Sequence, residues 1–151
     1  MKNRRCLICY SEGLEEGKYY HARCSKSVFG TEEAPELPYH LSDMKSLAQK
    51  IVVSQGIVTG VQPKISLGLE KNQKKRGRLT IMNGDYILKP PNERFAAMPE
   101  TEDLTMHLAQ LCKIETVPHA LIPLASGELA YITKRIDRKG DQKIHMEDFC
   151  Q

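Results

Sequence analysis

Hydrophobic side chains recur along the chain at two periods, which predict helices and strands in turn. Apolar residues at helical spacing predict a helix from about Ser42, a suitable N-cap, to Val53. Apolar residues that alternate with polar ones, or form short apolar runs, predict three strands, at 65–69, 79–82 and 86–89. Asn83-Gly84-Asp85, between the last two strands, is a strong hairpin signal.

A second helix and further strands are predicted after the loop that ends at Pro99. Thr101 can cap this helix, and its apolar stripe, which we expect in the core, consists of Leu104, Leu108, Leu111 and Cys112. Strands follow at 119–123, 129–133 and 143–146, and residues 147–151 look like the first turn of another helix. The order predicts an α+β fold, in which one helix packs across a curved antiparallel sheet.

Composition is that of an ordinary soluble protein with one core and a small appendage: 151 residues, 40% hydrophobic, 27% charged. No apolar run approaches the roughly 20 residues of a membrane span, and the N-terminus has no apolar signal segment. We therefore expect a cytoplasmic location and no membrane partner. A net charge of +3 gives little support for direct nucleic-acid binding. The basic run 71–78 is interpreted as a solvated hairpin tip, with contact to RNA, phosphate or an acidic partner as the alternative.

The chain is predicted to have three parts, with a Cys/His-rich segment at 1–30, an acidic, proline-containing linker at 31–40 and the main domain at 41–151. The first part has the spacing C-x2-C-x11-H-x2-C, which suits a tetrahedral structural zinc site made by Cys6, Cys9, His21 and Cys24. The alternative is a cluster of buried thiols with an exposed His21. For the other histidines, spacing identifies no acid–base partner, and we expect surface or core positions rather than catalysis: His40, His107, His119 and His145.

Two lysines stand where a polyphosphate could bind. The stretch GIVTGVQPKISL, residues 56–67, carries Lys64 from a glycine-bearing turn into a strand, and Gly60 allows close approach of the backbone to a phosphate. Lys89 ends a nearby strand, and Glu102 follows 13 positions later. The two could form the ion pair that holds ATP phosphates in kinases. The alternative is that Glu102 only complements the helix dipole in the first turn.

Several motifs resemble, in order and spacing, the HipA family of bacterial serine/threonine kinases, which are often toxins of toxin–antitoxin modules. They are GVQPKISL, YILKPP, MPETEDLTMHLA, TVPHALIPL, GELAYITKRIDR and MEDFCQ. The resemblance spans roughly residues 40–151 and is closest to Bacteroidetes-type proteins. The family's larger amino-terminal subdomain is missing, as in HipT-like members, where it is a separate HipS-like polypeptide. The fold implied is a kinase small lobe.

The resemblance also implies roles for individual residues. Lys89 would grip the ATP phosphates with Glu102, and Asp137 would bind the ribose. The hinge that reads adenine would be Lys134, Arg135 and Ile136. The loop that covers the phosphates would be Thr59, Gly60, Val61, Gln62, Pro63 and Lys64.

Two departures from the family qualify these roles. Members can silence themselves by autophosphorylation in the glycine-rich loop, where this chain has Ile57 and Thr59, so Thr59 alone could accept phosphate. The family's catalytic aspartate and Mg²⁺-binding aspartate lie beyond the equivalent of MEDFCQ. We therefore expect no catalysis by this chain alone, and ATP with Mg²⁺ only where a large lobe is present.

The resemblance further implies the kinds of partner. These would be a HipB-like antitoxin, a HipS-like subdomain and, for a complete kinase, a protein of the translation machinery such as an aminoacyl-tRNA synthetase. The alternative, from a different functional class, is that the chain is a non-catalytic binding module, which would bind an antitoxin, a nucleotide or a separate kinase lobe.

Overall fold

The computed structural model describes residues 5–44, 46, 64–72, 75–92, 95, 97–139 and 142–145. Its elements are α1 (Ala22–Phe29), β1 (Ile65–Asn72), β2 (Lys75–Ile81), β3 (Tyr86–Lys89), α2 (Met98–Leu111), β4 (His119–Pro123), β5 (Leu129–Lys134), β6 (Arg138–Lys139) and β7 (Gln142–Lys143). Residues 41–44 and 46 are also helical, which agrees with the start of the helix predicted from Ser42. The rest of that helix, to Val53, lies outside the described residues.

Five strands form one antiparallel sheet in the order β2-β1-β3-β5-β4, curled into a half-barrel against which α2 packs. This confirms the α+β class and the curved sheet with a packed helix. The last predicted strand is shorter than expected: β7 covers only 142–143 and pairs with β6 outside the main sheet. The helical turn predicted at 147–151 lies outside the described residues. Neither α1 nor α2 is long and apolar enough to cross a membrane.

The hairpin predicted at Asn83-Gly84-Asp85 does not form, because β2 and β3 pair with opposite edges of β1. The connection instead crosses the strand between them. A Cβ on Gly84 would lie 2.4 Å from the Leu67 carbonyl oxygen and 2.4 Å from the Gly68 Cα, so only glycine fits there. The sequence signal marked a real turn, but a close approach of two backbones explains the glycine.

The basic run is also placed differently from the prediction. β1 continues to Asn72 and β2 begins at Lys75, so most of residues 71–78 belong to strands. Residues 73–74 lie outside the described residues. The segment predicted as a linker lies beside this hairpin: the Glu36 N–H donates to the Gly77 carbonyl and the Leu79 N–H donates to the Glu36 carbonyl.

One face of the sheet and the amino-terminal segment share a single hydrophobic core. Strand residues that alternate along the chain point into it, since successive side chains of a strand face opposite sides. The core includes the strand residues Ile65, Leu67, Leu88 and Ile132, each 0% exposed, and Cys6, Val28 and Phe29 from the amino-terminal segment. Two tyrosines tie the layers together, as the Tyr20 hydroxyl donates to the Leu121 carbonyl and the Tyr86 hydroxyl to the Val28 carbonyl.

Helix α2 covers the opposite face, in an orientation that reverses the prediction. It begins at Met98 after Ala97, so Thr101 lies inside the helix and does not cap it. Its predicted core stripe is exposed: Leu104 at 53%, Leu108 at 52%, Leu111 at 79%, and Cys112. The side turned toward the sheet carries Pro99, Glu102, Asp103, Met106 and His107. Polar residues face inward because the strands and the amino-terminal segment supply their partners.

Candidate functional site

Lys89 and Glu102 meet between the sheet and α2. The alternating pattern of β3 buries Tyr86 and Leu88 in the core and leaves Lys89 on the helix side. Its Nζ lies 2.7 Å from Glu102 Oε2, and both side chains are only 25% exposed. Glu102 lies a full turn inside the helix, while Glu100 is the acid of the first turn. Because helix-dipole effects fade beyond the first turn, the ion pair accounts for Glu102 better than the dipole alternative.

A cavity of about 480 Å³ opens beside this ion pair. Lys64 lines it from the start of β1, and the Lys89 ammonium lies 5.4 Å from the centre of the Tyr131 ring. Burial, with the charges of Asp103 and Glu102, raises the pKa of Tyr131 and keeps its phenol neutral. The volume falls within the range of small-molecule sites. The predicted loop residues Thr59 to Pro63, and the predicted phosphate acceptor Thr59 with them, lie outside the described residues.

The predicted hinge begins at Lys134, the last residue of β5. The Lys134 N–H donates to the Pro118 carbonyl and the Arg135 N–H to the Asp85 carbonyl, so neither is open to adenine. Asp137 accepts from Arg135 at 2.8 Å and 2.5 Å, and these hydrogen bonds raise the pKa of the guanidinium. Ile136 is 56% exposed. A nucleotide would therefore meet Asp137 already held in place by Arg135.

The four predicted zinc ligands come together at the start of the chain. The ligand atoms of Cys6, Cys9, His21 and Cys24 all lie within 4.8 Å of one another. His21 Nδ1 is 3.4 Å from Cys9 Sγ and 3.8 Å from Cys24 Sγ. Tetrahedral Zn²⁺ separates a sulfur and a nitrogen ligand by roughly 3.5 Å. The set therefore fits zinc, and His21 is half-buried beside the thiols and not exposed as in the alternative.

The groups around this cluster orient the His21 ring and set the pKa values of two of the thiols. His21 Nε2 lies 3.1 Å from the Glu12 carbonyl oxygen, which fixes the ring with Nδ1 toward the thiols. Burial acts to raise the pKa of Cys9, but hydrogen bonds from Ser11, Cys24 and Cys6 lower it to about 6. Burial and the hydrogen bond to Cys9 raise the pKa of Cys24 to about 12. The cluster thus holds a thiolate at Cys9 and a thiol at Cys24 near neutral pH.

A second polar cluster, centred on Asp103, was missed from the sequence. The Tyr10 hydroxyl donates to Asp103 Oδ2, and His119 Nδ1 lies 2.9 Å from Asp103 Oδ1. His107 Nε2 lies 3.4 Å from Asp103 Oδ2. Spacing had identified no acidic partner for His107 or His119, and the structure gives Asp103 to both of them. The i, i+4 spacing of Asp103 and His107 was a visible signal, whereas His119 and Tyr10 approach only through the fold.

The Cys/His cluster and the Lys89–Glu102 ion pair are connected through the residues next to them in the chain. Tyr10 directly follows the ligand Cys9 and adopts a left-handed φ of 57°, which is uncommon for a residue other than glycine. Its hydroxyl holds Asp103, and the next residue along α2, Glu102, holds Lys89. The Cys/His cluster therefore contacts the helix that positions the cavity's ion pair.

Comparisons with known proteins match this chain to a family and to proteins named as kinases. The model of the family described as HipA-like C-terminal domain matches residues 56–151. A protein named "Putative kinase Y4dM" from Sinorhizobium fredii is 34% identical over 109 residues, which cover 62% of this chain and 26% of that protein. A protein named "Putative kinase" from Haemophilus influenzae is 29% identical over 119 residues, covering 75% of this chain and 33% of that protein.

The chain spans about a third or less of the length of these relatives. The family match nevertheless covers well over half of the chain, and it includes Lys89, α2 and the whole five-stranded sheet. The chain belongs to the HipA-like C-terminal domain family.

Proposed function

We propose that this chain is the ATP-binding, small-lobe part of a HipA-like serine/threonine protein kinase, and that it binds the nucleotide in the 480 Å³ cavity. The observation that carries the proposal is the ion pair between Lys89 Nζ and Glu102 Oε2 at 2.7 Å. A strand lysine held by a glutamate of the packed helix is the arrangement with which protein kinases align ATP phosphates.

The surroundings of Lys89 suit a phosphate. Lys64 lines the same cavity, so two ammonium groups can share the charge of a polyphosphate. Glu102 and the ring of Tyr131 restrain the Lys89 side chain, which reduces the entropy lost when a phosphate binds. Ile87, Met106 and Val117 give the cavity apolar walls, where charge interactions weaken less than in open water.

The adenosine would extend toward residues 134–137. With the N–H groups of Lys134 and Arg135 already used, the adenine contact is assigned to backbone carbonyls and the Ile136 N–H. Ribose hydroxyls would donate to the Asp137 carboxylate that Arg135 orients. Thr59 remains the predicted phosphate acceptor, and a HipB-like antitoxin, a HipS-like subdomain and a substrate of the translation machinery remain predicted partners.

Because the Mg²⁺-binding residue is expected on the large lobe, the proposal is tested without Mg²⁺, by ATP binding to the 151-residue chain and to two matched lysine variants. Lys89→Met removes the phosphate contact, and we expect about 10- to 100-fold weaker binding, which corresponds to about 1.5–3 kcal/mol for a charged hydrogen bond. Lys26→Met is the control, because Lys26 lies on α1, where its side chain forms an exposed ion pair with Glu32. Binding is measured by calorimetry, with NMR shifts to locate the nucleotide.

Three results would contradict the proposal: no ATP binding by the parent chain, equal binding by both variants, or shifts that avoid Lys89 and Tyr131. If Lys89→Met binds ATP with the affinity of the parent chain, the chain is a nucleotide-binding module in which the ion pair does not act as it does in kinases.

For the amino-terminal segment we propose one structural Zn²⁺ held by Cys6, Cys9, His21 and Cys24. Its support is the set of ligand distances and the Glu12 carbonyl that orients His21. The ion would fix the turn that carries Tyr10 and so stabilise the contact with α2.

A further inference from the structure

We propose that Asp103, His107 and His119 form a second metal site, which holds a divalent first-row transition ion such as Zn²⁺ through one carboxylate and two imidazoles. The site lies between α2 and β4 and is separate from both the Cys/His cluster and the ATP cavity. Its three ligand atoms lie within 4.8 Å of one another. Two imidazoles and a carboxylate are a donor set that transition metals favour.

The distances are close to those that a metal requires. Asp103 oxygens lie 2.9 Å from His119 Nδ1 and 3.4 Å from His107 Nε2. A tetrahedral ion with bonds of about 2.0 Å separates such ligands by roughly 3.3 Å. Both measured separations are therefore within a few tenths of an ångström of that value.

Charge balance is the strongest argument for an ion. Asp103 is 0% exposed, and within the described residues its basic neighbours are two imidazoles, with no lysine or arginine in an ion pair with it. A buried carboxylate is costly unless a cation compensates it. In addition, His107 Nε2 is buried and has no hydrogen-bond partner among the described residues. A divalent cation would neutralise the carboxylate and occupy this nitrogen at once.

The supporting groups and the entry route are also present. The Tyr10 hydroxyl holds Asp103, and the Gln110 amide lies 3.3 Å from His119 Nε2, so two of the three ligand side chains have an outer partner that orients them. His107 and His119 line a cleft of about 550 Å³, together with Cys9 and Cys24. The cleft gives an ion access from solvent and places the two metal sites on one surface.

The test is a Co²⁺ titration of the metal-free, reduced chain, followed by absorption and native mass spectrometry. We expect two ions per chain. Co²⁺ bound by thiolates absorbs strongly in the near ultraviolet, so this band should saturate at one equivalent, while the second adds only the weak visible bands of nitrogen and oxygen ligands. His107→Gln should lower affinity for the second ion at least about 100-fold, the upper end of the loss seen for outer-partner mutations. The thiolate band should not change.

Two further variants separate this site from other causes. His40→Gln, which changes an exposed histidine away from the cluster, should keep both ions. Cys9→Ser should weaken the thiolate band and retain the other ion. In the unmodified chain, the imidazole NMR signals of His107 and His119 should shift with the second equivalent of Zn²⁺, which needs no variant. Saturation at one ion, or a second ion that leaves these signals unmoved, would overturn the proposal.

Discussion

At the scale of single residues, several polar side chains of this protein are largely shielded from water and contact specific polar partners. Lys89 and Glu102 meet at 2.7 Å, and Asp103 is enclosed by a phenol and two imidazoles. The Cys9 thiol behaves similarly, because donors from Ser11 and its neighbouring thiols outweigh the effect of burial on its pKa. Cys9 therefore has a pKa that its residue type alone would not give.

The lowered pKa of Cys9 predicts a pH dependence that can be measured in the metal-free chain. Only the thiolate reacts with iodoacetamide, so alkylation of Cys9 should be half-maximal near pH 6 and should fail as the pH falls below that value. Cys24, with a pKa raised to about 12, should stay unreactive through neutral pH. Peptide mass spectrometry after timed quenching separates the two. If both cysteines alkylate over the same pH range, the assigned hydrogen-bond pattern is wrong.

At the scale of elements, α2 shows how a helix can turn its polar side toward a sheet. Glu102 and Asp103 point inward because Lys89, Tyr10 and His119 satisfy them there, and the helix consequently exposes its leucines. Hydrophobic spacing predicted that the helix exists but assigned its buried side wrongly. The reason is physical: periodicity identifies an apolar stripe, whereas the buried side depends on partners supplied by distant strands.

Two leucine substitutions test this orientation. Leu88→Ala on β3 removes a side chain that is 0% exposed and should lower the free energy of unfolding by about 2–5 kcal/mol. Leu108→Ala on α2 truncates a side chain that is 52% exposed and should change it by no more than about 0.5 kcal/mol. Urea denaturation with fixed zinc measures both. Equal losses would mean that the leucine side of α2 is covered in solution.

At the scale of the whole molecule, the Cys/His segment packs against the sheet and hydrogen-bonds to α2. Cys6 and Phe29 lie in the same core as the strands, and the segment 31–40 hydrogen-bonds to β2. Division of the chain at 1–30, 31–40 and 41–151 stays a prediction, since shared packing does not decide whether the parts fold separately. The connection does predict that metal binding at one end stabilises the sheet.

Zinc should therefore change the unfolding of the entire chain. At a free concentration about 1,000-fold above Kd, zinc should stabilise the fold by about 4 kcal/mol. Cys9→Ser should remove the share of this gain that the Cys/His cluster supplies, whereas Cys112→Ser, at an exposed position, should preserve the whole gain. Thermal unfolding is followed by circular dichroism, in the far ultraviolet for strands and the near ultraviolet for tyrosines. If zinc alters a separate, minor transition and leaves the sheet's transition unmoved, the segment is an independent module.

The sequence by itself determined the features that depend on residues close together in the chain. Alternation placed β1 and β3, and the C-x2-C and H-x2-C spacing identified all four ligands of the Cys/His cluster, because each pair is set by a short stretch of backbone. Lys89 and Glu102 were also named in advance as an ion pair, although two interpretations stayed open until the structure placed Glu102 beyond the first helical turn.

Only the tertiary structure decided which distant groups meet. The crossing of β1 by the β2–β3 connection, the inward polar side of α2 and the Asp103 cluster all depend on contacts between residues far apart in the chain. Tyr10 and Asp103 are 93 positions apart, and no periodicity relates them. A buried carboxylate selects its partners by distance and charge in space, so its neighbours could be identified only after the strands, helix and amino-terminal segment had packed together.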